Sequence, residues 1–178
     1  MNRMKSNNNI EIKSLNNSQV LTMDGVVQSV YPSPDWGYWK HMMPDFEPKN
    51  VLMLGVGAGT IAEMIKDKWP NTEITGIDNS LSMAERGRNK VDYFILADAF
   101  YQIYQDEMKY DLILVDLWNG GWYPTQVFKP EFISQLKRLL TPKGKIYINA
   151  PDFEKHALAN NLKVKAKSDG ANIIYETA

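Results

Sequence analysis

Val51-Leu52-Met53-Leu54-Gly55-Val56-Gly57-Ala58-Gly59-Thr60 runs from four consecutive apolar residues into three glycines and then into helix-forming sequence. An unbroken apolar run of that length suits a strand buried on both faces of a parallel sheet. Glycines beyond its end let the backbone turn sharply and approach a ligand, and a following helix aims its first N–H groups at the same place. A tight strand-to-helix turn explains the glycines equally well, because such loops recur in many α/β proteins.

Reading outward from this stretch settles the fold class. Downstream, strands expected at 51–54, 73–77, 93–96, 112–115 and 145–149 alternate with helices expected at 60–69, 80–88, 99–104 and 130–140. That alternation is the sequence form of a parallel sheet covered on both faces. A short helix at 153–159 and two strands at 162–166 and 172–175, turning at Ser168-Asp169-Gly170, complete a doubly wound, seven-stranded, Rossmann-like α/β sheet that ends in an antiparallel hairpin. Upstream, β-rich runs at 10–15, 19–23 and 26–30 surround the hairpin turn signal Asp24-Gly25. Pro32, Pro34 and Gly37 then break the chain, and Trp36, Tyr38, Trp39, His41, Met42 and Met43 suggest a short helix before Pro44. The expected organisation is a disordered leader at 1–9, an N-terminal hairpin and aromatic segment at 10–45, and an α/β domain at 46–178.

Composition narrows the function. A chain of 178 residues buries one core without covalent staples, and with no cysteine it has no disulfide, thiolate metal site or thiol nucleophile. A net charge of -1 with no lysine or arginine stripe argues against a nucleic-acid partner. The Asn-rich leader lacks the apolar core of a signal peptide or membrane span, so no membrane partner and a cytoplasmic location are expected. His41 and His156 have no neighbours at metal-ligand spacing, so no metal is expected. Lys163, Lys165 and Lys167 alternate with Leu162, Val164 and Ala166, which reads as the solvent face of a strand.

Three acidic residues set the glycine loop apart from a bare turn. Asp78, Asp98 and Asp116 each fall at or just past the C-terminal end of a successive strand, the edge at which open α/β sheets bind ligands. Asp78, followed by Asn79, is placed to accept from two ribose hydroxyls; its competing role is to cap the next helix. Asp98, followed by Ala99, is placed to accept from an adenine amine, with Phe100 or Ile103 covering the ring; a helix cap competes here too. A dinucleotide leaves the third acidic strand end unexplained, whereas an S-adenosyl nucleoside accounts for it.

Beyond the fourth strand, Asp116-Leu117-Trp118-Asn119-Gly120-Gly121-Trp122-Tyr123-Pro124 combines two glycines with three large aromatic rings. It reads as an acceptor-binding lid that excludes water, with a satellite core or an oligomer contact as the rival reading. Trp36, Tyr38 and Trp39 would form the opposite wall of an aromatic site for a flat or cationic small molecule. Asp116 is the candidate general base.

These segments resemble the spermidine synthase family of aminopropyltransferases, within the class I S-adenosylmethionine-dependent methyltransferase superfamily. Leu21 to Gln28 resembles that family's N-terminal hairpin motif, Asp35 to Met42 its Asp-Glu-(aromatic)-x-Tyr-(His/Gln)-Glu-Met segment, and Tyr110 to Asp116 its fourth strand. The resemblance covers roughly residues 18 to 150. It implies that Gln28 touches the donor, Asp78 binds ribose, Asp98 binds adenine and Asp116 faces the reacting centre, with Gly55, Gly57, Ala58 and Gly59 forming the loop. It also makes the N-terminal hairpin a candidate homodimer contact.

The departures from the family share one electrostatic direction. Ala58 stands where the family has an aspartate facing the terminal ammonium of decarboxylated S-adenosylmethionine, and Asn119 where it has a second acceptor-side aspartate. Trp39, Lys40 and His41 stand for the family's tyrosine, His/Gln and glutamate. A buried cation without its anionic partner is costly, so an ammonium-tailed donor and a polyamine are both disfavoured. The carboxylate of intact S-adenosylmethionine would meet Ala58 without repulsion and gain Lys40 as an ion-pair partner, unless Lys40 is a solvated surface lysine. Three readings follow: a methyltransferase acting on a small molecule, an aminopropyltransferase using decarboxylated S-adenosylmethionine, and an S-adenosyl-nucleoside-binding protein with weak or no transferase activity. Trp39, Trp118, Asn119, Trp122 and Tyr123 are the expected acceptor contacts.

Overall fold

The computed structural model describes residues 10–15, 18–23, 25–31, 37–118, 122–168 and 172–177. The leader, the turn residue Asp24, Trp36 and the prolines beside it, Asn119 with Gly120 and Gly121, and the turn residues Asp169 and Gly170 lie outside them.

Three antiparallel strands, β1 (Ile10–Leu15), β2 (Ser18–Met23) and β3 (Val26–Tyr31), form a small sheet in the order β1-β2-β3. A short 3-10 turn, Trp39–Met42, leads into β4 (Asn50–Leu54). The main sheet adds β5 (Glu73–Asp78), β6 (Tyr93–Leu96), β7 (Tyr110–Val115), β8 (Leu140–Ala150), β9 (Leu162–Lys167) and β10 (Ile173–Thr177) in the order β6-β5-β4-β7-β8-β10-β9. The chain thus winds outward from β4 to β6 and then returns to β7 on the other side. Strands β4 to β8 pair in parallel, and β10 inserts antiparallel between β8 and β9.

Alternation along the strands divides the core into two layers. Leu52, Leu54, Ile113, Val115, Ile146 and Ile148 face one layer, with Ile103 of α3 (Ala99–Gln105) and Ile133 and Leu136 of α4 (Pro130–Arg138). Val51, Met53, Leu112, Leu114 and Tyr147 face the other, with Ile61 and Ile65 of α1 (Thr60–Lys68) and with Trp39 and Met42. The remaining helices are α2 (Leu81–Gly87) and α5 (Glu154–Ala159). The small sheet docks against α1: Val20 and Val30 enter the second layer, the Ser29 and Thr60 hydroxyls meet, and Tyr31 Oη donates to Asp67.

Three local features depart from the sequence expectation. Helix α4 starts at Pro130, where a missing N–H costs nothing, but ends at Arg138, because Tyr110 N donates to Leu139 O at 2.8 Å and draws residue 140 into the sheet. A further 3-10 turn, Thr125–Phe128, follows Pro124 where no element is expected. Lys165 is half-buried rather than solvated, donating to His41 O at 3.1 Å with its ammonium 4.7 Å from the Tyr147 ring centre. Among the described residues no helix is long and apolar enough to cross a membrane.

The register sets the site. Leu54 pairs with both Ile77 and Val115, and Val115 pairs with Ile148, so Gly55, Asp78, Asp116 and Asn149 are the next residues on four adjacent strands. Gly55 has φ +87°, and a Cβ there would lie 2.1 Å from Asp116 O; Gly57 has φ +55°, with nothing within 4 Å of its would-be Cβ. Gly55→Ala should therefore cost about 3 kcal/mol or more through a backbone clash, and Gly57→Ala only about 1–2 kcal/mol through its left-handed backbone. Urea unfolding of both variants checks this; equal losses would mean that the close approach at Gly55 does not constrain the sheet.

Candidate active site

At the C-terminal ends of β4, β5 and β7 lies a cavity of about 300 Å³, the lower end of the range usual for small-molecule sites, roughly 300–1,000 Å³. It opens beside the reversal of strand order between β4 and β7, where doubly wound sheets bind ligands. Met23 and Gln28 of the small sheet and Tyr38 also line it, so the N-terminal segment forms part of its wall.

Asp78 holds the glycine loop as well as facing the cavity. Its Oδ2 accepts from Val56 N at 3.0 Å and Gly57 N at 2.9 Å, and its Oδ1 accepts from Ser80 N at 2.8 Å. A carboxylate offers about four acceptor positions, so these bonds leave one on Oδ1 for a further donor. Asp98 caps the helix and also faces the cavity. Its Oδ1 caps α3 by accepting from Phe100 N at 2.8 Å, and the residue lines the cavity with Asn79, Ala99 and Phe100. Ile103, the other candidate ring cover, is fully buried in the core.

Gly55, Gly57 and Ala58 line the cavity, and Ala58 backs onto Leu21 and Met23. Gly59 does not line it: its φ is +88°, and a Cβ there would press on Lys90 Cγ at 2.6 Å. Lys40 does not line it either; the residue is exposed on the 3-10 turn. Among the described residues the charged side chains lining the cavity are Asp78, Asp98 and Asp116, with no lysine, arginine or histidine.

The aromatic residues expected to contact an acceptor divide. Trp118 and Trp122 line the cavity, and Trp122 is 58% exposed at its rim. Trp39 reaches the cavity but is packed in the core, and Tyr38, 4.9 Å away between ring centres, is its neighbour on that wall. Tyr123 does not line the cavity. It packs in the core with its ring 5.2 Å from Trp118 and 5.9 Å from Phe153, as in the satellite-core alternative, and its hydroxyl has no hydrogen-bond partner among the described residues.

Asp116 sits at the cavity floor between two donors. Tyr38 Oη donates to Oδ2 at 2.7 Å, and Asn149 Nδ2 donates to Oδ1 at 2.8 Å. Burial raises the Asp116 carboxyl to about 6; the Asp78 charge adds to that, while the two hydrogen bonds oppose it. Burial and the Asp116 charge hold the Tyr38 hydroxyl well above its ordinary value, so it stays a donor. The sequence reading missed Asn149. Its signal was a polar residue closing the apolar run Ile146-Tyr147-Ile148, level with Asp116.

A family model described as a methyltransferase domain matches residues 51–144, from β4 into β8. The chain belongs to the methyltransferase domain family. Its α/β domain is accordingly an S-adenosylmethionine-dependent transferase domain of class I fold. Trans-aconitate 2-methyltransferase of Escherichia coli is 30% identical over 102 residues, which are 57% of this chain and 39% of the relative, so the match spans well under half of that relative's length. Human methyltransferase-like protein 13, solved in complex with SAH, matches with a TM-score of 0.64 and 21% identity over 73% of this chain and 71% of its own. A probable spermidine synthase from Corynebacterium glutamicum matches at 0.70 and 19% over 95% and 76%, and spermidine synthase from Thermotoga maritima at 0.64 and 14% over 94% and 67%. These structures share the fold. For the methyltransferase domain, Asp78→Ala should lower stability by roughly 1–3 kcal/mol, because three backbone N–H groups lose their acceptor. Thermal unfolding with and without S-adenosylmethionine checks it; an unchanged melting temperature would show that the loop does not lean on this carboxylate.

Proposed function

We propose that this chain methylates a small, uncharged or cationic acceptor, using S-adenosylmethionine as donor and Asp116 as the group that takes the acceptor's proton. The observation that carries the reading is the Asp116 carboxylate, lining the cavity with each oxygen held by one donor and each retaining a position for another.

The residues fit the donor. Gly57 presents open backbone, the spare position on Asp78 suits a ribose hydroxyl, and the second oxygen of Asp98 suits an exocyclic amine beside Phe100. Ala58 adds no negative charge against the donor's carboxylate. When bound, S-adenosylmethionine supplies a methyl group already activated by its sulfonium. Alignment and proton removal are what remain for the protein. Tyr38, Trp118 and Trp122 provide flat apolar walls that hold an acceptor and exclude water, and Asp116 at about 6 accepts a proton near neutrality.

Charge argues for a different acceptor from that in the relatives' name. Trans-aconitate is an anion, and three carboxylates with no lysine, arginine or histidine among the described residues of the cavity lining would repel it. The chain segments 32–36 and 119–121 carry no basic residue in sequence. The aminopropyltransferase reading keeps one observation in its favour: the spermidine synthase matches extend over 94–95% of this chain and so include its N-terminal sheet. Ala58 and Asn119, in place of the family's aspartates, weigh against it.

Methyl transfer to a panel of small amines and phenols, set against carboxylic acids, tests the proposal. Asp116 must be ionised, so kcat/KM should be full above pH 6 and fall about tenfold per unit below it. Asp116→Asn should cost a hundredfold or more. Equal rates on carboxylic acids with no acid limb near pH 6, or transfer of an aminopropyl group to putrescine, would contradict it.

A further inference from the structure

Asn149 is fully buried, and it stands out among the buried polar side chains because it bridges a carboxylate to a second amide. Its Nδ2 donates to Asp116 Oδ1 at 2.8 Å, and its Oδ1 accepts from Asn172 Nδ2 at 2.9 Å. It does not line the cavity, so whatever it does to a bound molecule passes through Asp116.

The polarity of this chain of bonds follows from the carboxylate. An ionised Asp116 only accepts, which turns the Asn149 NH2 toward it and leaves the Asn149 carbonyl facing Asn172. Asn172 must then present its own NH2. Its backbone is fixed as well, since Asn172 O accepts from Ser168 N at 3.0 Å and from Ser168 Oγ at 3.1 Å, closing the hairpin between β9 and β10. From the opposite side Tyr38 Oη holds the other oxygen at 2.7 Å.

We infer that Asn149 is a positioning residue for Asp116, locked in one amide orientation by Asn172, so that the C-terminal hairpin fixes the direction in which the carboxylate presents its remaining acceptor positions to the cavity. The inference rests on the transferase reading only for what the carboxylate then does. Among the described residues the other groups acting on Asp116 are Tyr38 from the N-terminal segment, Asp78 at the end of β5, and Tyr123, whose hydroxyl its charge raises. None is cationic, so the two hydrogen bonds are what stabilise the ionised form.

A titration needing no acceptor tests this. In protein carrying 13C-labelled aspartate, the Asp116 carboxyl signal, identified by its loss in Asp116→Asn, is followed with pH. Asn149→Leu should raise the midpoint by about one pH unit, since a hydrogen bond to the charged form is lost. Asn172→Ala should raise it by less, and the double variant no further than Asn149→Leu alone, because Asn172 acts through Asn149. An unmoved midpoint in folded Asn149→Leu protein overturns the inference, as does a full additional shift from Asn172→Ala on top of Asn149→Leu. If Asn149→Leu does not fold, Asn149→Ser and Asn172→Ala decide, and unmoved midpoints in both overturn it. Failure of the transferase reading has a separate signature: no calorimetric binding of S-adenosylmethionine by native protein, with the midpoint shifts still present.

Discussion

A carboxylate at the end of β7 draws together parts of the chain that are far apart in sequence. Asp116 receives Tyr38 from the N-terminal segment and Asn149 from β8, and through Asn149 it is joined to Asn172 at the C-terminal hairpin. Burial makes its charge costly, so each of those donors has to be held by structure of its own. Tyr38 packs against the core layer that Val20 and Val30 of the small sheet enter, and Asn149 pairs with Ile174 of the inserted strand β10.

The same economy operates at the glycine loop. Asp78 accepts from three backbone N–H groups, so the turn that the proposed nucleoside donor would meet is organised by the carboxylate proposed to hold its ribose. Gly55 lets the β4 backbone lie against Asp116 O, which brings the loop and the carboxylate side of the cavity within van der Waals reach. Among the described residues the charged side chains of the cavity lining are all acidic, a bias that suits the proposed sulfonium-bearing donor and works against an anionic acceptor.

Strand and helix periods made most of the fold legible in advance. Val51 to Leu54 is buried as the apolar run required, and the seven-stranded sheet with its final antiparallel hairpin follows the expected order of elements. What sequence did not convey was direction and register. Trp39 and Tyr38 are adjacent aromatics, yet Trp39 packs in the core against Gly37, whose φ is +93° and where a Cβ would strike its ring, while Tyr38 reaches Asp116. Tyr123 is as aromatic as Trp118, yet it belongs to the core and not the cavity. Lys40 is exposed beside buried Trp39, a difference between neighbours that no local pattern encodes. Asn149 became visible once β8 was set beside β7.

The donor is the point on which the proposed function turns, because in that reading the charge at position 58 helps to separate methyl from aminopropyl transfer. Calorimetric dissociation constants of native protein and Ala58→Asp for S-adenosylmethionine and its decarboxylated form measure this directly. The expected result is tighter native binding of the intact donor and a shift toward the decarboxylated one in Ala58→Asp, on the order of a few kcal/mol for a carboxylate facing a like charge away from water. Tighter binding of the decarboxylated donor by the native protein would contradict it.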